Sequence, residues 1–430
     1  MKRASAGMAG KGLHIGFEET ASGGLVRRTV LLSEDGARRR DRVVYEFEDP
    51  AGTADRPMDG AVMAVLFHAM QRGLPVHVHG SLTRTALHNI DTLQGVWRRW
   101  RPDRYRTVEI IPESVVDRNA PKPGRRAIAA YSSGLDSTFT ILRHRLLLPP
   151  ERRHHVGALL MVHGFDVELD RPEDFERLVE RTRPFRELVG LDLRVVRTNS
   201  KELHLQNWQD SHAAELAACL HLYAAEFEFG LIGSTKPYDA LVIPYGTTPI
   251  ADHLLSGDGF SIVHDGAAYS RTEKAAAVAA HPEAVRSLRV CWEGAEQFRN
   301  CGVCEKCVRT RMNFAAAGVA APDCFDGPLD PARIAGIPVR NEPQAAELRS
   351  ILDYARQHAV EGEWLERLKE RVRTIQPDFG QSELGSSEPR PVRAMKGASA
   401  SLRQAAVALL DAMELKQPLK RVRNRLRTRG

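Results

Sequence analysis

Two groups of residues in this chain have types and spacing that point to chemistry. The first is the run Ser132-Ser133-Gly134-Leu135-Asp136-Ser137. Hydroxyls and free backbone N–H groups bind phosphate oxygens, a glycine lets the backbone approach them, and a carboxylate can hold Mg²⁺ against them. The second is Cys291, Cys301, Cys304 and Cys307, read as C-x9-C-x2-C-x2-C. Thiolates two residues apart converge on one ion, and Gly302 permits the turn between them. Four soft ligands point to a closed structural zinc site, while the C-x2-C-x2-C spacing leaves an iron–sulfur cluster open as the competitor. Cys219 and Cys324 stand apart and read as buried or free thiols.

The elements that must position these residues alternate in type. Ile128 to Tyr131 is an apolar run entering the Ser/Gly turn, and Thr138 to Leu148 reads as a helix stopped by Pro149-Pro150. That order puts a helix N-terminus, with its unpaired N–H groups and positive dipole end, against the turn. Val156 to Val162 is a second apolar run, ending at His163 and Gly164, and Phe175 to Val189 is helical. Leu193 to Val196 is a third strand, Ser211 to Phe229 a long helix, and Leu231-Ile232 a strand that ends in Gly233, Ser234 and Thr235. Strands alternating with helices predict an α/β fold with a mostly parallel sheet, flanking helices and a ligand at the carboxyl ends of the strands.

Upstream, Leu13 to Glu18, Leu25 to Ser33 and Val43 to Phe47 read as strands, with Asp35-Gly36 turning between the last two. Ala61 to Arg72 and Thr85 to Arg99 read as helices, and Val76 to His79 and Thr107 to Ile111 as strands. This predicts a smaller N-terminal α/β domain. His77 and His79 share one strand face and could in principle bind a metal, but with no third ligand nearby in sequence they read as an ordinary polar face. Trp97-Arg98-Arg99-Trp100-Arg101 interleaves cations and aromatics as an RNA-binding surface would, but a helix end with inward tryptophans and arginines at the negative dipole end is the simpler reading. The domain boundaries expected are 1–118, 119–320 for the nucleotide-binding and cysteine-bearing part, 321–375 for a helical extension, and 376–430 for a flexible linker and basic tail. Asn119 to Gly124 is the linker into the second of these.

Composition narrows the class. At 430 residues and 43% hydrophobic content the chain can build substantial cores. No stretch approaches the roughly 20 apolar residues of a membrane span, which together with the absence of a signal-like start predicts a cytoplasmic protein. The formal net charge is +6, but from Ser387 onward 11 Lys/Arg face 3 Asp/Glu, so the rest of the chain is slightly acidic. Attraction to RNA, a protein partner or an anionic surface therefore resides in the tail or the N-terminal domain. A homodimer is left open.

Ser-Ser-Gly-Leu-Asp-Ser resembles the Ser-Gly-Gly-x-Asp-Ser loop of PP-loop ATP pyrophosphatases, with Ser133 in place of a glycine. The loop followed by the cysteine cluster resembles the 7-cyano-7-deazaguanine synthases, over about Arg125 to Gly318. The resemblance implies a ligase that forms carbon–nitrogen bonds, adenylating a carboxylate such as 7-carboxy-7-deazaguanine with ATP and replacing AMP with ammonia or an amine. It implies that Ser132 to Ser137, Leu135 included, hold ATP phosphates and Mg²⁺. Asp136, Ser137 and Lys274 would be catalytic, with Lys274 neutralising pyrophosphate as it forms. His163 and Gly164 would lie beside adenine, and Gly233, Ser234, Thr235 and Arg271 beside the acceptor. Lys236 to Ser256 departs from the family's acceptor-binding stretch, so a different carboxylate is equally compatible. So are another PP-loop enzyme, such as a tRNA thiolase or amide synthetase, and a nucleotide-binding partner protein without turnover.

Overall fold

The computed structural model describes residues 11–37, 40–49, 56–117 and 126–375. The expectations for the first residues, the Asn119–Gly124 linker, the Pro/Gly/Ser-rich linker and the basic tail lie outside the described residues.

Ten strands form one sheet: β1 (Leu13–Ser22), β2 (Leu25–Glu34), β3 (Arg40–Glu48), β4 (Val76–Thr83), β5 (Ile110–Val116), β6 (Arg126–Ala130), β7 (His155–His163), β8 (Asp192–Thr198), β9 (Phe229–Gly233) and β10 (Ser261–Asp265). Their order is β10-β9-β6-β7-β8-β3-β2-β1-β4-β5. Neighbours from β10 to β8 are parallel, as are β1-β4-β5, and the β8-β3-β2-β1 pairs are antiparallel. The fold is therefore α/β with a mostly parallel sheet. The strands of the N-terminal part continue the same sheet as β6 to β10, through Tyr45 opposite Thr198 and Phe47 opposite Val196.

The helices are α1 (Asp59–Arg72), α2 (Arg84–Trp100), α3 (Leu135–Leu142), α4 (Pro172–Arg181), α5 (Arg183–Val189), α6 (Trp208–His221), α7 (Arg271–Ala279), α8 (Pro282–Ser287), α9 (Glu305–Ala316), α10 (Ala332–Ala335), α11 (Glu342–Gln357) and α12 (Glu363–Arg373). None of the described helices is long and apolar enough to cross a membrane. Strand β6 is buried on both faces: Ile128 joins one core, with α1 and α6, and Ala127 and Ala129 join the other, with α3 and α7. A third apolar cluster seats α11 and α12 on α9 through Val308, Met312, Leu348, Ile351, Leu365 and Leu368.

Four elements differ from their sequence-based bounds, each for a local reason. The first helix after the Ser132–Ser137 turn starts at Leu135, and its last turn, Arg143–Leu147, widens to π. The Phe175 to Val189 helix breaks at Thr182, because Pro184 carries no N–H to continue the hydrogen-bond ladder and is tolerated in the first turn of a new helix. Helix α6 begins three residues early, capped by the Asn207 side chain, and ends at His221 so that Phe227 is buried and Phe229 can enter the sheet. Strand β5 lies later than Thr107 to Ile111 and includes Pro112, which an edge strand tolerates. Trp97 is buried, edge-on to Phe67 and Tyr105, which accounts for the Trp/Arg run as a packed helix end.

Candidate functional site

The Ser132–Ser137 turn lies at the carboxyl end of β6, between that strand and α3. Ser133 sits at φ +62°, in the left-handed region that a glycine would occupy at no cost. Its buried hydroxyl donates to the Ser287 carbonyl, and its own carbonyl accepts from Arg289 N–H at 2.8 Å. Of the three serine hydroxyls expected to line the turn, Ser133 is therefore committed to the loop before Arg289. Ser132 and Ser137 do line it, with their hydroxyl oxygens 3.4 Å apart. Ser137 Oγ donates to Gly134 O, and Ser132 Oγ accepts from Gly134 N–H. Gly134 begins α3 with no side-chain cap, so the first-turn N–H groups of Leu135, Asp136 and Ser137 have no intrahelical acceptor. That is an anion-binding geometry.

Asp136 pairs with two cations of α7 and, through them, joins a wider charged cluster. Arg271 donates to Asp136 Oδ2 at 2.7 Å, and Lys274 Nζ stands 3.5 Å from Oδ1. Both cations sit on the first turn of α7, whose start is fixed by a capping box between Ser270 and Glu273. Lys274 also donates to the Ser234 carbonyl at 2.5 Å, tying α7 to the end of β9. Glu347 of α11 reaches the same place, 2.9 Å from Lys236 Nζ, 3.2 Å from Arg309 Nη1 and 3.9 Å from Arg271 Nε. Burial would raise the Glu347 carboxyl, but Lys236, Arg309 and Arg271 outweigh it and hold it down at about 2. Burial pushes the Lys236, Lys274 and Lys306 ammonium groups below their ordinary range. Lys306 feels Asp166, Arg271, Arg309 and Asp136, and Tyr245 feels Asp136 and Arg271, so both belong to the same electrostatic environment. Six cations (Lys236, Arg271, Lys274, Arg289, Lys306 and Arg309) thus meet four carboxylates: Asp136, Asp166, Glu305 and Glu347. The surplus is positive, beside free helix N–H groups.

The remaining sequence-predicted positions are placed as follows. Gly233 is where β9 meets the turn: a Cβ there would stand 2.9 Å from the Asp136 carbonyl oxygen. Ser234 is buried, its hydroxyl donating to Lys236 O, and Thr235 follows it, half-buried. The His163 ring is buried against Phe175, centroids 4.4 Å apart, with Nε2 3.1 Å from the Glu168 carbonyl oxygen, and burial lowers its pKa. Gly164, at φ +110°, passes so near Thr198 that a Cβ would lie 1.9 Å from its carbonyl oxygen. Both residues are thus engaged in closing the β7–α4 turn.

Among the described residues the four cysteines are the group of three or more metal-ligating side chains that converge, with all Sγ atoms within 4.8 Å of one another. Cys291 and Cys304 sulfurs are 3.8 Å apart and Cys301 and Cys307 sulfurs 3.9 Å. Four sulfurs about 2.3 Å from one tetrahedral ion stand about 3.8 Å from each other. The group can therefore hold a single metal ion such as zinc, whereas the thiolates of an iron–sulfur cluster bind different irons and stand further apart. Gly302 takes φ +73° in the knuckle, and Cys304 N–H donates to Cys301 Sγ at 3.3 Å. Hydrogen bonds from Cys304 and Cys307 push the Cys291 thiol down, while those two are pushed up. Cys304 precedes α9 and Cys307 lies in its first turn, so the cluster sets the helix that carries Lys306 and Arg309.

No protein-family model matches the chain, and neither does any curated protein or solved structure.

Lys236, Arg289, Lys306, Arg309, Glu347 and Tyr245 were not among the predicted site residues. Lys306 and Arg309 had a usable signal, since they lie inside and just after the cysteine motif on a helix whose start that motif fixes. Glu347 had none: only the docking of α11 on α9 brings it to Lys236.

Proposed function

We propose that the chain is an ATP-dependent ligase that forms AMP and pyrophosphate, activates a carboxylate and transfers its acyl group to ammonia or an amine. The observation that carries this reading is the excess of cations in the charged cluster that includes Asp136, with Arg271 and Lys274 buried against it, beside the uncapped start of α3. The 7-cyano-7-deazaguanine synthases are the family whose loop and cysteine motifs the sequence resembles, and 7-carboxy-7-deazaguanine is the first acid to try.

In this reading a carboxylate oxygen of the acceptor attacks the α-phosphorus of ATP, and the bond to the bridging oxygen breaks. The released pyrophosphate carries the growing negative charge, and Lys274, Arg271 and the α3 N–H groups neutralise it. Ammonia then attacks the activated carbonyl carbon, and AMP leaves with the bonding pair. No side-chain nucleophile is needed, in keeping with the use of all four clustered thiols by one metal. Asp136 Oδ1 is the carboxylate oxygen left without a hydrogen bond, so Asp136 can offer Mg²⁺ one ligand while phosphate oxygens and water supply the rest. When bound, Mg²⁺ would offset phosphate charge, and Zn²⁺ at the cysteines would brace α9.

Purified zinc-loaded protein incubated with labelled ATP, with and without 7-carboxy-7-deazaguanine and ammonium, should form AMP only when the acid is present. AMP formed with another carboxylate would move the substrate but keep the reaction. ADP and phosphate as products would sink the proposal. RNA-dependent AMP formation would favour a tRNA thiolase.

A further inference from the structure

The sheet pairs β1 with β4 so that His14 lies opposite His77, and the imidazoles of His14, His77 and His79 share one exposed face. His14 stacks on His77, centroids 4.8 Å apart, and His14 Nδ1 lies 3.1 Å from His79 Nε2. The other nitrogens of this facing pair are both taken by carboxylates. His14 Nε2 is 3.1 Å from Asp35 Oδ1, and His79 Nδ1 is 3.2 Å from Glu113 Oε1. Asp35 is in turn fixed by the Gly12 N–H at 3.0 Å. Gly12 also makes room for His77, whose ring a Cβ there would meet at 2.7 Å.

These contacts assign the tautomers. An ionised carboxylate only accepts, so a neutral His14 carries its proton on Nε2 and a neutral His79 on Nδ1. The two facing nitrogens are then both lone pairs, 3.1 Å apart, and they repel unless a cation lies between them. Two imidazole nitrogens about 2.1 Å from one tetrahedral ion stand about 3.4 Å apart, so the observed gap is within a few tenths of an ångström of that spacing. A carboxylate behind each ligating imidazole is the arrangement that orients histidines at metal sites and raises their basicity.

We propose that His14 Nδ1 and His79 Nε2 form a second metal site, for a divalent transition ion of imidazole preference such as Zn²⁺, Ni²⁺ or Cu²⁺. Asp35 and Glu113 position its ligands, and His77 packs against His14. Two protein nitrogens leave the other coordination positions to water or to a group on another molecule, so the ion binds more weakly here than at the four thiolates. The site is independent of the ligase proposal: β1 is five strand spacings, about 24 Å, from β6.

The test uses the untagged full chain with the cysteines first filled by one equivalent of zinc, and titrates it with Ni²⁺ by calorimetry. The expected result is one further Ni²⁺ per chain, with the side-chain resonances of His14 and His79 broadened. His14→Ala and His79→Ala should each remove that uptake, and Asp35→Asn and Glu113→Gln should weaken it about 10-fold or more. All four positions are exposed enough for the variants to fold, which circular dichroism checks. No second uptake in the wild type would mean that the two imidazoles only share a proton, and would overturn the proposal. Uptake that survives both histidine variants would overturn it as well.

Discussion

The first two turns of α9 touch two clusters with opposite demands. At its start four thiols converge and need a cation. About half a turn and about one and a half turns past Cys304, Lys306 and Arg309 join a charged cluster whose cations outnumber its carboxylates and which would suit an anion. Each cluster is unbalanced on its own, and neither neutralises the other. The fold holds both, which sets an order of dependence: a metal at the cysteines would fix the helix, and the helix then presents its cations toward Asp136 of the Ser132–Ser137 turn. The reverse dependence is not built in, because the cysteines make no contact with Asp136.

The largest effect should come from the metal end. Cys307→Ser, or a strong chelator, should remove the ion, lower stability by more than about 4 kcal/mol and abolish AMP formation with it. Metal analysis and chemical denaturation read this; full nucleotide binding in a metal-free, folded Cys307→Ser chain would break the proposed order. At the anion end, Lys274→Ala should lower kcat for AMP formation by about 10²- to 10³-fold and leave metal content untouched. Loss of zinc in that variant would show that the two clusters are coupled in both directions.

Glu347→Gln comes next. Its carboxyl is held at about 2 against an ordinary 4.5. A depressed folded-state pKa contributes stability that is fully present above the unfolded value and is lost as pH falls from about 4.5 toward 2. Breaking this buried pairing should cost about 3 kcal/mol at neutral pH and flatten the acid limb of the stability profile over that window. The same variant should bind inorganic pyrophosphate more tightly, since it takes one negative charge out of the cationic group. Ser133→Gly should change stability by less than about 1 kcal/mol, because relief of the left-handed backbone roughly offsets the lost hydrogen bond to Ser287. Its apparent affinity for ATP should be unchanged, because that hydroxyl does not face the turn.

What could be read in the sequence was what is local. The Ser132–Ser137 turn, the cysteine spacing and the Ser270-Arg271-Thr272-Glu273-Lys274 helix start each lie within a few residues of chain, where backbone geometry leaves a pattern of residue types. The place of Ser234 at the carboxyl end of a strand came from the alternation of strands and helices. Glu347 meets Lys236 across 111 residues, and Lys306 meets Asp166 across a larger gap still. Ion pairs of that kind impose no periodicity on either partner, so nothing in sequence announces them. His77 and His79 share a face as expected, but their partner His14 depends on the β1–β4 register, which pairs strands separated in the chain by β2, β3 and α1. The internal partners of Ser133 and His163, the Ser287 and Glu168 carbonyls, left no mark in the sequence either.

The seam between β3 and β8 carries a consequence for how the chain can be cut. There the pairing of Tyr45 to Phe47 with Val196 to Thr198 is reinforced by Asn199, which accepts from Val44 N–H at 2.8 Å and donates to Arg42 O at 3.0 Å. Removing residues 1–117 would strip β8 of that neighbour and turn an interior strand into a bare edge, with a row of unpaired N–H and C=O groups next to Val196. Such an edge recruits strands from other molecules. The part from β6 onward, isolated this way, would tend to self-associate, so the two parts are better expressed together than as interchangeable modules.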